Sequence, residues 1–276
     1  MTLPVACTVA GSDPSAGAGL QADLKTFAAC GVYGASVVTA VTAQNTTGVA
    51  AVHPIPAEVV AAQIDAVAGD LSPAAWKTGM LGDERVVAAV AEGLRRHRAA
   101  NLVVDPVMRS TSGRTLLSGP GVDALRALLL PLAAVVTPNL EEAAALTGRT
   151  VGCVEEAREA GWALCALGPR LAVVTGGHLP GARVVDVVCD LATGRCLELE
   201  HVRVPGRGTH GTGCTLSAAV AAFLARGTSP LDAITSARAY VQAALLRAPG
   251  LGAGHGPLGH LDPEPAEVVP APRGER

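Results

Sequence analysis

The residue types best suited to phosphate chemistry occur in a glycine-rich run that leads into an apolar segment. Residues 208–214 read GTHGTGC, and the apolar residues 215–224 that follow predict a helix. Glycines allow the backbone to turn so that successive N–H groups point inward, and the helix N-terminus adds a partial positive charge. Gly211, Thr212 and Gly213 could therefore stabilise the charge that develops on a phosphoryl group during transfer.

Cys214 falls in the first turn of that predicted helix. The helix dipole there favours a thiolate, so we expect a lowered pKa. A thiolate at this position could accept the proton of an attacking hydroxyl group. The alternative is a helix start with a small buried cysteine, because free cysteines usually pack as small apolar side chains. Together with the glycine run, the catalytic interpretation is favoured.

A second glycine-rich loop lies at residues 11–19, between a predicted strand and a predicted helix. It contains a GxGxxA match at Gly17, Gly19 and Ala22, which is typical of dinucleotide-binding folds. That fingerprint also needs an acidic residue about 20 residues further on, at the end of the second strand. The second strand ends instead at Gln44, which weakens the dinucleotide interpretation.

Gln44 presents a donor and an acceptor on one planar amide, which complements the ring nitrogen and exocyclic amine of an aminopyrimidine. The alternative is a solvated glutamine at a strand end.

Asn139 and Glu142 are three residues apart at a predicted helix start. They could hold a hydrated Mg²⁺ ion, or they could form a capping box. Asp105 before Pro106 is either a carboxylate on the metal and phosphate side or a turn signal.

Short β-branched runs alternate with helical patterns along the chain, and this alternation predicts a doubly wound, mostly parallel sheet. Ligands bind beyond the carboxyl ends of strands in such sheets. Most of the candidate residues directly follow predicted strands, so we expect them to gather along one edge. The predicted strands are residues 5–10, 35–43, 76–79, 102–105, 134–137 and 171–175, with short antiparallel segments between 184 and 204.

Composition narrows the class of protein. Apolar residues make up 49% of the 276 residues and aromatic residues only 2%, as expected for a buried parallel sheet covered by alanine-rich helices. The net charge of −3, without a basic block, disfavours nucleic-acid binding. No segment has the length and apolarity of a membrane span, and neither of the two lysines, Lys25 and Lys77, follows a Walker A loop. The seven cysteines lack zinc spacings and favour a reducing cytoplasm.

Several motifs together resemble the hydroxymethylpyrimidine/phosphomethylpyrimidine kinases of thiamine biosynthesis, which belong to the ribokinase-like class. The matches are collinear and cover roughly residues 5–260. They are TVAGSD at 8–13, GAGLQADLK at 17–25, VTAQNT at 41–46, KTGM at 77–80, DPVM at 105–108, TPNL at 137–140, GGH at 176–178, THGTGCTLS at 209–217 and GHGPL at 254–258.

The resemblance implies an α/β/α ribokinase-like domain over residues 1–261, a homodimer and a disordered tail at 262–276. It also implies two phosphorylations that use ATP and Mg²⁺, first of the hydroxymethyl group of 4-amino-5-hydroxymethyl-2-methylpyrimidine and then of the monophosphate. The implied roles fall into three groups. In the first group, Gln44 binds the pyrimidine, and the residues around it are Gly11, Asp23, Met80 and Val107. In the second group, Cys214 is the base, and the anion hole beside it consists of Gly211, Thr212 and Gly213. The third group lies on the nucleotide side and consists of Asp105, Asn139, Glu142 and Gly176, with Asp105 and Glu142 toward Mg²⁺.

The chain departs from the family pattern at three positions. Thr111 and Thr175 stand where the family usually has lysines, and Gly208 replaces an asparagine. The loss of two cations puts the rate in doubt, especially in the second step, where the acceptor is an anion. Arg109, Arg114 or Arg207 could compensate, although arginine and lysine are not interchangeable.

Three other functions remain open at this point. A pyridoxal kinase of the same superfamily would also phosphorylate a hydroxymethyl group on a six-membered heteroaromatic ring. A weakly catalytic pyrimidine-binding protein would explain the two missing lysines. A nicotinamide oxidoreductase would explain the GxGxxA match. His178 and His210 flank the phosphate region, but the residue type alone assigns neither a role.

Overall fold

A nine-stranded sheet with helices on both faces forms the protein in this computed structural model, which describes residues 3–206 and 208–261. The strands are β1 (Val5–Ser12), β2 (Tyr33–Asn45), β3 (Gly48–Pro54), β4 (Ala75–Thr78), β5 (Leu102–Val104), β6 (Val135–Val136), β7 (Leu171–Val174), β8 (Arg183–Asp190) and β9 (Arg195–Val202). The helices are α1 (Gly19–Ala29), α2 (Ala57–Asp70), α3 (Glu84–Arg96), α4 (Gly119–Ala124), α5 (Leu140–Thr147), α6 (Val154–Cys165), α7 (Thr212–Ala225) and α8 (Pro230–Leu246). A π turn (Leu125–Leu129) and a 3-10 turn (Leu130–Leu132) extend α4.

The strand order is β3-β2-β1-β4-β5-β6-β7-β8-β9. The six central strands run parallel to one another; in sheet order they are β2, β1, β4, β5, β6 and β7. At the two edges, β3, β8 and β9 pair in antiparallel fashion. The strand order reverses between β1 and β4, because β2 lies on one side of β1 and β4 on the other. A crevice forms at such a switch point, and ligands of open α/β sheets bind there. The topology therefore confirms the predicted mostly parallel sheet and locates its binding edge.

Each face of the sheet carries its own apolar core. Successive strand residues point to opposite faces, so Val103 packs into one core while Leu102 and Val104 pack into the other. Helices α1, α7 and α8 cover the first face, and α2, α3, α5 and α6 cover the second. Helix α7 is almost entirely buried along its length. Its alanine-rich sequence lets it approach the sheet closely, which holds its N-terminus firmly at the binding edge.

The hairpin of β2 and β3 has no counterpart in the sequence-based prediction, which ended a strand at residue 43. Strand β2 continues to Asn45, whose side chain accepts hydrogen bonds from the backbone N–H groups of Thr47 and Gly48 at 2.9 and 3.2 Å. This asparagine turn reverses the chain into β3. The period-2 pattern of β3 is weak because both of its faces are largely exposed.

Two other expectations need comment. Cys189 and Cys196 face each other across β8 and β9 and form a disulfide. The sequence-based expectation of a reducing compartment did not include a disulfide. The other five cysteines are free. The proposed tail at 262–276 lies outside the described residues. Among the helices that the structure describes, none combines the length and apolarity needed to cross a bilayer.

Candidate active site

The first glycine loop is organised by Asp13, directly after β1. Its carboxylate accepts hydrogen bonds from the Ser15 N–H at 2.9 Å, the Ser15 hydroxyl at 2.7 Å and the Ala18 N–H at 2.9 Å. Gly19 then begins α1 with φ of +59°, and a Cβ there would lie 2.4 Å from the Gly11 carbonyl oxygen. The loop is therefore tightly folded, and its glycines allow close backbone contact rather than dinucleotide binding.

The second glycine loop begins α7 and lies against the first. Gly211 is the N-cap of α7 with φ of +82°, and a Cβ on it would lie 1.9 Å from the Gly17 carbonyl oxygen. The Thr212 hydroxyl donates to the Thr209 carbonyl at 2.8 Å, which closes the turn. Gly213 is exposed in the first turn, where backbone N–H groups have no intrahelical acceptor. The predicted anion-binding loop thus has the backbone geometry that such a site requires.

The two glycines of this loop give a matched pair of substitutions. Gly211→Ala forces a side chain into backbone atoms at a positive φ, so we expect loss of phosphoryl transfer and a fall in stability of about 1–3 kcal/mol. Gly213→Ala meets no atom within 4 Å in the structure and should keep the melting temperature. Steady-state kinetics and thermal unfolding measure both. Equal melting temperatures for the two variants would contradict this account of the loop.

A buried ionic cluster lies beneath the loop on β1, β4 and α1. Lys77 is fully buried, and its Nζ atom lies 2.8 and 3.0 Å from the two carboxylate oxygens of Asp23 and 3.9 Å from Asp105. The Thr8 hydroxyl donates to Asp23 at 2.6 Å, and the Ser217 hydroxyl donates to Asp105 at 3.0 Å. Asp23 is fully buried and binds Lys77 through both oxygens, and its place near the substrate stays a prediction.

Cys214 lies between the N-termini of α1 and α7, with the Gly19 N–H directed at its sulfur. The expected lowering of its pKa is wrong. Burial raises the pKa of the Cys214 thiol to about 12; Lys77 and the Gly19 N–H oppose this shift, while the carboxylates of Asp105 and Asp23 add to it. The helix dipole is thus outweighed, because removal from water penalises the thiolate more than one helix end favours it. The thiolate is a minor species but a strong base.

The residues predicted to bind a pyrimidine lie at the end of β2 and in the loops around it. Gln44 is half-buried, and an open cavity of about 580 Å³ lies against it; the cavity is lined by Pro14, Ala43, Gln44, Asn45, Thr47, Gly48, Val49 and Ala50. Gly11 leaves room for Met80, whose sulfur would be 3.0 Å from a Cβ at that position. Met80 and Val107 are half-buried at the same edge of the sheet. Gln44 also contacts His210, at 3.1 Å between the two Nε2 atoms.

Asn139 and Glu142, which are predicted to lie on the nucleotide side, form the capping box that was one of the two alternatives considered from the sequence. Asn139 Oδ1 accepts from the Glu142 N–H at 2.9 Å, and Glu142 accepts from the Asn139 N–H at 3.0 Å and the Met108 N–H at 3.4 Å. Burial, followed by the nearby Asp105 carboxylate, raises the pKa of Glu142 to about 8. Burial raises the pKa of Asp105 to about 6, although Lys77 opposes the shift. The described residues contain no group of three or more acidic, histidine or cysteine side chains suited to a metal.

Gly176 follows β7 on the same edge. Its N–H donates to the buried Asp186 carboxylate at 2.9 Å, and a Cβ there would lie 2.0 Å from the Val185 carbonyl oxygen. The Arg203 guanidinium binds the carbonyl oxygens of Gly177, Leu179 and Gly181, which fixes the loop after Gly176. Gly176 is thus required by close packing, and Arg203, directly after β9, holds the loop beyond it in place.

Sequence reasoning missed Asp13, Lys77, Ser217 and the role of His210. Lys77 did carry a signal, since it is one of two lysines and stands inside an otherwise uncharged strand. His210 carried none, because its partners lie 99, 166 and 197 residues away along the chain. The structure also bears on the arginines that could compensate for the two missing lysines. Arg114 binds the Val49 and Ala50 carbonyl oxygens, and Arg207 lies outside the described residues.

The sheet and the glycine loop at the start of α7 indicate the class of ribokinase-like kinases. Comparison with known proteins supports this class. The phosphomethylpyrimidine kinase family model matches residues 13–259. A hydroxymethylpyrimidine/phosphomethylpyrimidine kinase of Rhizobium meliloti is 51% identical over 93% of this chain and 97% of its own. The chain therefore belongs to the phosphomethylpyrimidine kinase family, and it is a kinase.

Solved structures show the same fold. A phosphomethylpyrimidine kinase from Clostridium difficile 630 superposes with a TM-score of 0.77 at 38% identity, covering 88% of this chain and all of the other. A Staphylococcus aureus pyridoxal kinase in complex with AMP-PCP and pyridoxal gives a TM-score of 0.85 at 34% identity, covering 95% of both chains.

Proposed function

We propose that this chain transfers the γ-phosphoryl group of ATP to the hydroxymethyl oxygen of 4-amino-5-hydroxymethyl-2-methylpyrimidine, and then phosphorylates the resulting monophosphate, in thiamine biosynthesis. The observation that carries the proposal is the position of Cys214, between two helix N-termini and above the buried Lys77, in a chain of this family. Family membership supports the substrate, and the amide of Gln44 beside a cavity supports an aminopyrimidine ligand.

In this proposal each residue of the site has a separate role in the reaction. The Cys214 thiolate accepts the hydroxyl proton as the oxygen bonds to the γ-phosphorus and the bond to ADP breaks. The backbone of Gly211, Thr212 and Gly213 stabilises the charge on the transferring group. Lys77 stabilises the thiolate from below. Gln44 orients the pyrimidine, with Gly11, Met80 and Val107 packing around the ring.

Asp105 and Glu142 are the carboxylates that would hold Mg²⁺ at this site. Burial is the main cause of both raised pKa values, and the Asp105 carboxylate adds to that of Glu142; a divalent cation beside them would favour the ionised forms. Mg²⁺ in kinases is bound by only one or two carboxylates together with substrate phosphates and water, so a larger protein cluster is not required. When bound, the ion neutralises charge on the phosphates. Asn139 and Gly176 complete the nucleotide side by fixing the two loops that border it.

The discriminating experiment measures Mg·ATP-dependent ADP release with the pyrimidine and with pyridoxine. We expect kcat/KM for the pyrimidine to exceed that for pyridoxine by at least about tenfold, since Gln44 pairs with the aminopyrimidine edge. A reversed ratio would identify a pyridoxal kinase. Pyrimidine binding by calorimetry without ADP release would identify a pyrimidine-binding protein.

The second phosphorylation should be the slower step, because Thr111 and Thr175 replace family lysines. We expect Thr111→Lys/Thr175→Lys to raise kcat/KM for the monophosphate by about tenfold, with little change for the neutral pyrimidine. The gain should shrink with added salt, which screens exposed charges. Thr111 is exposed and Thr175 half-buried, so both positions can hold a longer side chain. Thr111→Ala/Thr175→Ala controls for loss of the hydroxyls, and equal gains on both substrates would contradict a role at the anionic acceptor.

The proposal also includes a cytoplasmic homodimer that binds neither nucleic acid nor membrane. The family resemblance supports the dimer. Sedimentation equilibrium measures the mass directly. A concentration-independent monomer would contradict the dimer.

A further inference from the structure

His210 connects its own loop to the end of β2 and to the loops that carry Asp13 and Thr111, and the residue is only 6% exposed. Its Nε2 atom lies 3.0 Å from Asp13 Oδ2 and 3.1 Å from the Gln44 amide, and its Nδ1 atom lies 3.3 Å from the Thr111 hydroxyl. A Cβ on Gly17 would be 2.6 Å from the ring carbon Cδ2. The two ring nitrogens therefore have polar partners on opposite edges, and Gly17 lies close to Cδ2.

The proton on this ring is located by Asp13. Burial would raise the pKa of Asp13, but hydrogen bonds from His210, Ser15 and the Ala18 N–H outweigh burial and hold it below the usual value. Asp13 is thus an ionised acceptor at neutral pH, and a carboxylate 3.0 Å from Nε2 requires a proton on that nitrogen. Nδ1 then faces the Thr111 hydroxyl on the opposite edge of the ring.

This proton decides the orientation of the Gln44 amide, whose nitrogen and oxygen occupy nearly the same volume. The Thr42 hydroxyl donates to the Ser12 carbonyl at 2.8 Å, so only its lone pairs face Gln44, at 3.4 Å. With the amide nitrogen toward His210, two N–H donors would meet at 3.1 Å and two acceptors would meet at Thr42. The reverse orientation removes both conflicts: the amide oxygen shares the single His210 Nε2–H with Asp13 in a three-centre hydrogen bond, and the amide nitrogen donates to Thr42.

We propose that Asp13 and His210 are positioning residues that lock the Gln44 amide in this orientation and thereby select a 4-aminopyrimidine over its 4-oxo counterpart. The inference rests on the proposed function, in which Gln44 contacts the ring. The second oxygen lone pair accepts from the exocyclic amine, and the second amide hydrogen donates to the ring nitrogen. A 4-oxo ring presents the reverse order, with an oxygen acceptor and a ring N–H donor. A locked amide rejects that order, whereas a free amide turns over and accepts it.

The test compares kcat/KM for 4-amino- and 4-oxo-5-hydroxymethyl-2-methylpyrimidine in wild type, His210→Phe, Gln44→Ala and the double variant. We expect a preference for the amino compound of at least about 100-fold in wild type and below about tenfold in His210→Phe. The change should appear mainly in KM for the pyrimidines, with KM for ATP unaltered. Adding His210→Phe to Gln44→Ala should change selectivity no further, because His210 acts through Gln44.

His210→Gln serves as the rescue variant, since its amide N–H can donate to both Asp13 and Gln44; we expect it to regain most of the selectivity. Thermal unfolding of each variant separates misfolding from mispositioning. Equal losses on both pyrimidines, or additive losses in the double variant, would overturn the proposal. If wild type phosphorylates neither pyrimidine, the proposed function fails; calorimetric dissociation constants for the two pyrimidines then still test the amide lock by the same ratios.

Discussion

Replacing Cys214 by alanine is expected to lower kcat for pyrimidine phosphorylation by about 10²–10⁴-fold, the range typical of a lost general base. The KM values for ATP and the pyrimidine should change little, because the sulfur acts on the hydroxyl proton rather than on binding. Cys30→Ala is the matched control, since Cys30 is also a free thiol whose pKa is raised by burial, but it lies at the C-terminal end of α1. Steady-state kinetics of the two variants provides the comparison.

The same residue predicts the pH dependence of the wild-type enzyme. Burial raises the pKa of Cys214 to about 12, so the thiolate fraction grows tenfold with each pH unit below that value. The base must be unprotonated, and therefore log(kcat/KM) should rise with a slope of about one between roughly pH 9 and pH 11, above the pKa of Glu142 and below that of Cys214. The slope should vanish in Cys214→Ala. A wild-type profile that falls with rising pH in this range would contradict a thiolate base.

Replacing Lys77 by methionine is expected to destabilise the fold by about 3–5 kcal/mol and to abolish turnover. Burial alone would lower the pKa of Lys77, but the carboxylate of Asp23, the Cys214 sulfur and the carboxylate of Asp105 together raise it, so the ammonium is present at all working pH values. Methionine fills a similar volume but leaves two buried carboxylates without their cation. Urea denaturation measures the loss of stability.

A second variant separates the structural role of Lys77 from the catalytic one. Lys77→Met/Asp23→Leu removes the charge and its main partner together, and apolar replacement of a whole buried pair is often nearly neutral for stability. We expect most of the unfolding free energy to return while activity stays absent. Recovery of activity together with stability would show that Lys77 only maintains the fold.

The fold was largely predictable from the sequence because the parallel strands are short, apolar and regularly spaced. The predicted helices at 20–30 and 213–226 agree with α1 and α7 to within one residue at each end. The β2–β3 hairpin was missed because β3 is exposed on both faces and therefore lacks an apolar period. Its only local signal is Asn45 at the turn.

The site was only partly predictable, for two physical reasons. The glycine loops depend on local backbone geometry, which short motifs specify well. The environments of Asp23, Lys77 and Cys214 instead depend on burial and on charges from β1, β4, α1 and α7, which meet only in the folded chain. The sequence could thus indicate a reactive cysteine, but local reasoning from the helix dipole gave the wrong direction for its pKa.

The most direct test of the whole account is product analysis after incubation with Mg·ATP and 4-amino-5-hydroxymethyl-2-methylpyrimidine. Chromatography resolves the pyrimidine, its monophosphate, its diphosphate and ADP. We predict monophosphate first and diphosphate later, with one ADP formed for each phosphoryl group transferred and neither product formed by Cys214→Ala. Absence of any phosphorylated pyrimidine from the folded wild-type protein would contradict the account.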